Sequence, residues 1–404
     1  MNTPRLVVVG ASLAGLRAVE SARRCGFDGP ITMIGAEPHS PYDRPPLSKQ
    51  FLTGGAAPPY FRGAQSLRDD LDVDLRLGTS ATGLHTEERI VVAGGQEIGY
   101  TGLVIATGAR PRVLPGMPRP AGVHTLRTVE DAAALRQALR PGARVVIIGA
   151  GFIGSEVAFA AWRRGAEVTV LEAAAVPLAR AVGEPVGAAL ATLLERDGID
   201  LRRGMAVDAI EGAERVEAVR MADGSTLPAD VVMVAVGVVP ATDWLMDSGL
   251  TLDNGVVCDQ TLNAGAPGVY AAGDVARWFH PLFGQSVRVE HWTTAAEHGA
   301  LAARNAIEPQ AAAACVTVPF FWSDWDTDRI QFVGVPDADE IHMVPSGSGK
   351  GDFLALYRRG KHVIGALGIN QPRPVMRLRT MIARRTGWSE AVEFARQRRW
   401  THSA

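Results

Sequence analysis

Short apolar runs ending in glycine recur along this chain, and two of them lead into helices. Residues 5–10 read RLVVVG, a β-branched run too short for a buried helix and typical of a buried strand. LRAVESARRCGF follows with apolar residues at helical spacing. ITMIGAE then forms a second strand ending at Glu37. The same order returns at 144–172 as RVVIIG, SEVAFAAWRRG and EVTVLE, ending at Glu172. Further buried strands are expected at LVIATG and ADVVMVAVG. A short helix and the strand VDLRLG are expected within 60–78, and a helix after Thr128. Residues 184–236 read as helix, strand, meander and buried strand. A long helix carries Trp292 in its first turn. From 320 onward FFWSDWDTDRIQFVGV, FLALYRRG and HVIGALGIN alternate like antiparallel strands, and PVMRLRTMIARRTGW is amphipathic. The class is α/β, with two Rossmann-like dinucleotide-binding domains and an α+β C-terminal domain.

The turns between strand and helix carry the chemistry. In Gly10-Ala11-Ser12-Leu13-Ala14-Gly15, Gly10 permits the turn and Gly15 lets helix and strand pack closely. Ser12 stands where the GxGxxG pattern has glycine, and is small enough for a pyrophosphate to approach. Glu37 is placed to accept hydrogen bonds from a ribose. The second copy, Gly149-Ala150-Gly151-Phe152-Ile153-Gly154, is complete, so two nucleotide cofactors are expected. Glu172 can bind a 2′-hydroxyl and would repel a 2′-phosphate. Alanines at 173–175 offer no compensating arginine, so NADH is expected. Arg180 is a candidate adenosine contact or a surface arginine.

Glu156 lies two residues past Gly154. It either complements the helix dipole or pairs with Lys49. The loop after Glu37 is stiffened by prolines that exclude regular helix before about Leu47. It brings Arg44 and Lys49 to the carboxyl edge of a sheet, where such folds bind ligands. Ala106-Thr107-Gly108 and Gly237 end their strands with small residues, as close approach of a cofactor requires. Gly273-Asp274 places a carboxylate where it could bind a ribityl hydroxyl, and the helix beginning at Trp292 could aim its N-terminus at a flavin.

Composition narrows the class. The chain has 404 residues, enough for two or three domains, with 47% hydrophobic and 21% charged residues. A net charge of −2 gives no field favouring nucleic acid or a membrane. No apolar run approaches the ~20 residues of a membrane span, and a cytoplasmic protein without a leader is expected. Cys25, Cys258 and Cys315 are scattered and form no CxxC pair. They are expected to be small buried hydrophobes in a reducing compartment, not a redox dithiol. No metal site is expected.

The two fingerprints, with PYDRPPLSK, ATGARPR, LRTVEDA, AAGDVAR, HWTTAAEHG and FFWSD, resemble the NADH-dependent ferredoxin reductases. These are FAD flavoproteins of bacterial P450 and Rieske-type oxygenase systems. The resemblance spans nearly the whole chain and implies a glutathione-reductase-type fold. Its FAD domain would be discontinuous, 1–111 and 241–315, with an NADH domain at 112–240 and a C-terminal domain at 316–404. FAD would be held by Gly10, Ser12, Leu13, Ala14, Gly15, Ala36 or Glu37, Arg44, Lys49, the Ala81 backbone, Arg127, Asp274 and the Trp292 backbone. Lys49 with Glu156 would lie near the flavin N5, and Trp322 would approach the ring. Trp325 stands where glutamine is expected and is read as altering the partner surface. The implied reaction passes hydride from NADH to the flavin and single electrons to a [2Fe–2S] ferredoxin.

A basic face is expected from Arg373 to Arg399, with eight arginines against Glu390 and Glu393, either docking an acidic ferredoxin or simply solvated. A rubredoxin reductase and an NADH-sensing flavoprotein are the alternatives. A disulfide or peroxide reductase would need a cysteine in the PYDRPPLSK loop, which has none. A monomer is expected.

Overall fold

The computed structural model describes residues 3–114, 116–117, 120–196, 198–345 and 352–396. They form two compact units. The first comprises Met1–Asp43, Pro59–Arg110 and Val239–Phe320; the second comprises Arg44–Pro58, Pro111–Val238 and Phe321–Ala404.

The first unit is built on a five-stranded parallel sheet, ordered Val269–Ala271, Gly102–Ile105, Leu6–Val9, Ile31–Ile34, Val73–Arg76. Every run but the edge strand Val73–Arg76 is buried at every position. A parallel sheet covered on both faces demands this, and it explains why the strands read as unbroken apolar runs. Helix Leu13–Arg24 packs against helix Trp292–Ile307 through small residues. A Cβ on Gly299 would meet the Ala14 carbonyl oxygen at 2.0 Å, so glycine is required at that crossing. A separate antiparallel meander, Ala81–His85, Ile90–Ala93 and Gln96–Gly99, belongs to the same unit.

The second unit repeats the parallel arrangement in the order Asp200–Arg203, Glu167–Glu172, Arg144–Ile148, Val231–Val234, Val123–His124. Helix Val129–Ala138 begins at Thr128 with a full capping box to Asp131. The C-terminal residues form a five-stranded sheet, ordered Phe320–Trp325, Asp328–Gly334, His362–Ile369, Phe353–Arg359, Glu340–Pro345, covered by helix Pro372–Ala383. The chemistry-poor strand Glu340–Pro345 and the helix Trp388–Arg396 escape the sequence reading. The strand's mixed polar pattern, EIHMVP, suits an edge with half-buried residues and gives no clean alternation.

Several expectations change. The strand ending at Glu37 stops at Ile34, with Glu37 in the following turn. Prolines 45 and 46 do not delay regular structure to Leu47. They start a 3₁₀ turn, Pro45–Ser48, because fixed φ suits the first position of a helical turn. Cys258 and Cys315 are buried, but Cys25 is exposed at the C-cap of the first helix, where the chain turns out toward Gly26. Arg398 and Arg399 of the basic run lie outside the described residues. Among the described residues no helix is long and apolar enough to cross a membrane.

Candidate dinucleotide turns and a buried ion pair

In the first unit, the turn at Gly10 is imposed by the protein's own backbone. Gly10 has φ +125°, and a Cβ there would lie 2.0 Å from the Ala106 carbonyl oxygen and 3.0 Å from the Thr107 nitrogen. A Cβ on Gly15 would lie 1.8 Å from the Gly10 oxygen. Neither glycine admits another side chain. Ala106 and Thr107 are thereby brought against the turn, and the Thr107 hydroxyl donates to the Ala241 carbonyl at 2.9 Å. Gly273, with φ +74°, faces Ala14 and Ala295, which brings Asp274 to the start of both long helices. Glu37 accepts a hydrogen bond from the Tyr42 hydroxyl at 2.6 Å, and Trp292 donates through its indole to Asp43 at 2.9 Å. Leu13 and Ala14 are buried, Ala36 is exposed, and Ala81 begins the meander. Gly108 takes φ +68° as its strand ends.

Two features of this unit fit a bound dinucleotide. Helix Leu13–Arg24 starts at Ser12 with no side-chain cap and no acid in its first turn, and helix Trp292–Ile307 starts in the same way. Helix Val129–Ala138, by contrast, has a capping box and two first-turn acids. An uncapped N-terminus leaves N–H donors and positive dipole ends to an anion. The glycine cradle beside it excludes side chains from the approach. The residues present therefore fit FAD.

The second fingerprint shows the same division of labour more clearly. Gly149, at φ +104°, would place a Cβ 2.5 Å from the Ala235 oxygen, and Gly154 would place one 2.1 Å from the Gly149 oxygen. Gly151 is different, because a Cβ there would meet only the Ala235 oxygen, at 4.0 Å. The fold does not need glycine at that position, and the space above it is open, as the close approach of a pyrophosphate would require. Ser12 occupies the equivalent position of the first turn, where a small side chain is tolerated. Helix Phe152–Arg163 also begins without an acid in its first turn, and Ile153 is 47% exposed beside it. Glu172 is held at both oxygens: the Ala150 N–H donates to one at 2.9 Å and the Ala174 N–H to the other at 2.8 Å. Its carboxylate is fixed at the carboxyl edge of the sheet with lone pairs to spare. Arg180 is exposed on the short helix Ala179–Val182, and Gly237 is exposed after its strand at φ +91°.

Glu156 is not in the first helical turn and does not serve the dipole. It is the fifth helical residue and only 4% exposed. Lys49 Nζ lies 2.9 Å from one carboxylate oxygen. The Ser323 hydroxyl donates to that oxygen at 2.5 Å and the Asp324 N–H at 3.3 Å, while the Ser48 hydroxyl donates to the other oxygen. A buried carboxylate is tolerable only when its acceptor positions are filled in this way. Ser48 and Ser323 were missed by the sequence reading, which took Lys49 from PYDRPPLSK and Trp322 from FFWSD. Their only signal is adjacency to those residues.

Trp322 is half-buried with the Arg329 guanidinium 5.7 Å above its ring. Trp325 does not reshape a partner surface. It is 1% exposed, packs near Phe152 and Phe159, and donates its indole N–H to Ser323 at 3.0 Å. The alternation of its strand turns it inward. Arg44 donates to the Arg127 carbonyl oxygen at 2.8 Å, and both belong with Lys49 to the second unit. Among the described residues no group of three or more His, Cys, Asp or Glu side chains is arranged to hold a metal ion.

Comparison with known proteins agrees with this geometry. Residues 4–299 match the family model described as pyridine nucleotide-disulphide oxidoreductase, and 320–396 match the model described as reductase C-terminal. The chain is 37% identical over 389 residues to the anthranilate 1,2-dioxygenase system ferredoxin–NAD(+) reductase component of Burkholderia cepacia, covering 95% of each. It is 32% identical to putidaredoxin reductase of Pseudomonas putida, covering 91% of this chain and 89% of that one. Among solved structures, the covalent putidaredoxin reductase–putidaredoxin complex is similar at TM-score 0.90 and 32% identity, covering 95% of this chain and 94% of the other. With both glycine turns intact and these matches running nearly end to end, the chain belongs to the pyridine nucleotide-disulphide oxidoreductase family and carries its reductase C-terminal domain.

Proposed function

We propose that this chain is an FAD-dependent ferredoxin reductase that takes electrons from NADH and delivers them to a [2Fe–2S] ferredoxin of a P450 or Rieske oxygenase system. The observation that carries the reading is a pair of dinucleotide turns in one chain. Both are built on glycines that the backbone requires, and both open onto an uncapped helix. In this reading 1–111 with 241–315 binds FAD, 112–240 binds NADH, and 316–404 completes the reductase, which works as a cytoplasmic monomer. Bound FAD supplies the exchange between a two-electron donor and a one-electron acceptor.

The chain's own residues bind and orient. Glu172, held by two backbone N–H groups, accepts from the ribose hydroxyls of NADH and repels a 2′-phosphate. The N–H groups at the start of each fingerprint helix bind pyrophosphate. Glu156 holds the Lys49 ammonium in place. Arg373, Arg377, Arg384 and Arg385 are exposed on and after helix Pro372–Ala383, where a basic face steers an acidic ferredoxin.

Replacing Glu172 by alanine removes both the ribose acceptor and the repulsion. The ratio of kcat/KM for NADH over NADPH is expected to fall about tenfold or more, since one charge-assisted hydrogen bond is worth that much. An unchanged ratio would show that Glu172 does not read the ribose.

The function itself is tested by NADH-driven cytochrome c reduction with and without a [2Fe–2S] ferredoxin. Strong stimulation is expected at low salt. It should weaken as salt rises and when Arg384→Glu and Arg385→Glu are combined. If NADH bleaches the yellow protein but ferredoxin adds nothing, the acceptor assignment fails and a rubredoxin or a sensing role takes its place.

A further inference from the structure

The segment that follows Glu172 is held by the C-terminal sheet. It leaves the strand Glu167–Glu172, passes through Leu178 in the left-handed region at φ +59°, forms the short helix Ala179–Val182 that exposes Arg180, and turns at Gly183, φ +80°. Such a turn has little to stabilise it locally, since a leucine in the left-handed region is strained and four helical residues make few bonds. Its fixed points lie elsewhere. Tyr357, fully buried in the strand Phe353–Arg359, donates its hydroxyl to the Val182 carbonyl oxygen at 2.6 Å. Ile341, from the edge strand Glu340–Pro345, fills the space above Gly183 so closely that a Cβ there would lie 2.2 Å from its Cδ1. The ring of Tyr357 is itself fixed edge-on to Phe332 at 5.3 Å. At the other end of the turn, Gly187 leaves room for the Pro177 carbonyl oxygen, which would lie 2.3 Å from a Cβ.

We propose that Tyr357 and Ile341 are positioning residues for the adenosine half of NADH, setting the Arg180 turn beside the ribose acceptor Glu172 from the C-terminal sheet. This rests on the reading of the second unit as the NADH-binding one. The hydroxyl of Tyr357 fixes the backbone at Val182, two residues past Arg180, and so determines where that guanidinium can reach. Ile341 blocks the turn from relaxing toward the sheet. The C-terminal sheet thus acts on the nucleotide through backbone geometry, since Tyr357 is fully buried with its hydroxyl bonded to Val182.

The test uses the FAD-loaded full chain. Tyr357→Phe removes only the O–H. ADP-ribose affinity is measured by calorimetry, and reduced nicotinamide mononucleotide, which lacks adenosine, is compared with NADH as electron donor. Tyr357→Phe is expected to weaken ADP-ribose binding about threefold to tenfold, the effect of a buried carbonyl left unpaired. It should raise KM for NADH at unchanged kcat, and leave kcat/KM for reduced nicotinamide mononucleotide unchanged. A purely structural defect would lower both donors alike. Arg180→Ala should weaken ADP-ribose by itself, and Tyr357→Phe added to it should cost little more, because the two act as one unit. Ile341→Ala, which leaves every hydrogen bond in place, should reproduce the selective loss. Equal losses with both donors, or additive losses in the Arg180→Ala background, would overturn the proposal. Failure of the unaltered enzyme to bind ADP-ribose would overturn the NADH reading itself.

Discussion

Replacing Glu156 by alanine should lower the stability of the folded chain by about 3–5 kcal/mol, the usual consequence of breaking one side of a buried ion pair. The side chain of Glu156 is 2% exposed and that of Lys49 14% exposed, so the pair has little contact with solvent. Its removal strands the Lys49 ammonium together with the hydroxyls of Ser48 and Ser323, which are 3% and 1% exposed. The Coulomb attraction matters less than the desolvation of the charge left behind. Glu156→Gln is a weaker perturbation of volume and keeps one acceptor oxygen, while its amide N–H₂ can donate to the Ser48 hydroxyl; it still removes the counter-charge of Lys49, so it should destabilise less than alanine. A double variant, Lys49→Met with Glu156→Leu, removes both charges and should be more stable than either single change. Urea denaturation at neutral pH measures each. A loss below about 1 kcal/mol for Glu156→Ala would mean that the pair is solvated and does not tie Ser48, Lys49 and Ser323 together.

Acid should destabilise the first unit from about pH 6.5 downward, and His298 should account for a measurable share. His298 is fully buried on helix Trp292–Ile307, edge-on to the Trp278 ring at 4.4 Å, and among the described residues neither ring nitrogen has a hydrogen-bond partner. Burial, and secondarily the neighbouring His280, push its pKa down from 6.5 to about 3. His280 is lowered in the same direction by burial. The folded state therefore binds its proton later than the unfolded state. The stability is intact above pH 6.5 and is lost as pH falls toward 3. Each pH unit in that window costs about 1.4 kcal/mol for one such group, or about 2 kcal/mol at pH 5. His291 is lowered to about 4, first by burial against an opposing pull from Asp274, but its residue surface is only half-buried and its share is correspondingly smaller. His298→Leu removes the titrating group and strands no partner. The variant should lose less of its denaturation midpoint between pH 7 and pH 5 than the unaltered protein. Parallel pH curves for the two would rule out His298 as a source of the acid slope.

Much of the architecture was legible in the order of residues, for a physical reason that differs between elements. Buried parallel strands such as LVVV and VVII need apolar side chains on both faces, so they appear as continuous runs. Gly15 and Gly154 were readable because each is demanded by a backbone contact within its own strand–turn–helix connection, and Gly10 and Gly149 because the turn takes a positive φ; that Ala106 and Ala235 also crowd them is decided by the tertiary structure. The helix beginning at Val129 was readable from its capping threonine. The edge strand Glu340–Pro345 was not, because an edge carries no required pattern. Trp325 was misread as a surface residue because burial of a strand residue depends on what lies on that face, which its neighbours in sequence do not reveal.

The candidate site divides along the same line. Local spacing along the chain settles the two βαβ units, the acid that ends each, and hence the class of ligand. It does so because the glycine turn, the helix start and the acid after the second strand all lie within about thirty residues. Long-range packing settles everything that depends on a buried charge finding its partners. Residues 48, 49, 156 and 323 meet only when the folded second unit closes, and no periodicity links them. The same holds for Tyr357 and Val182, whose hydrogen bond spans 175 positions. Desolvation makes such pairings obligatory once the chain is folded, but only the tertiary structure decides which groups are buried together.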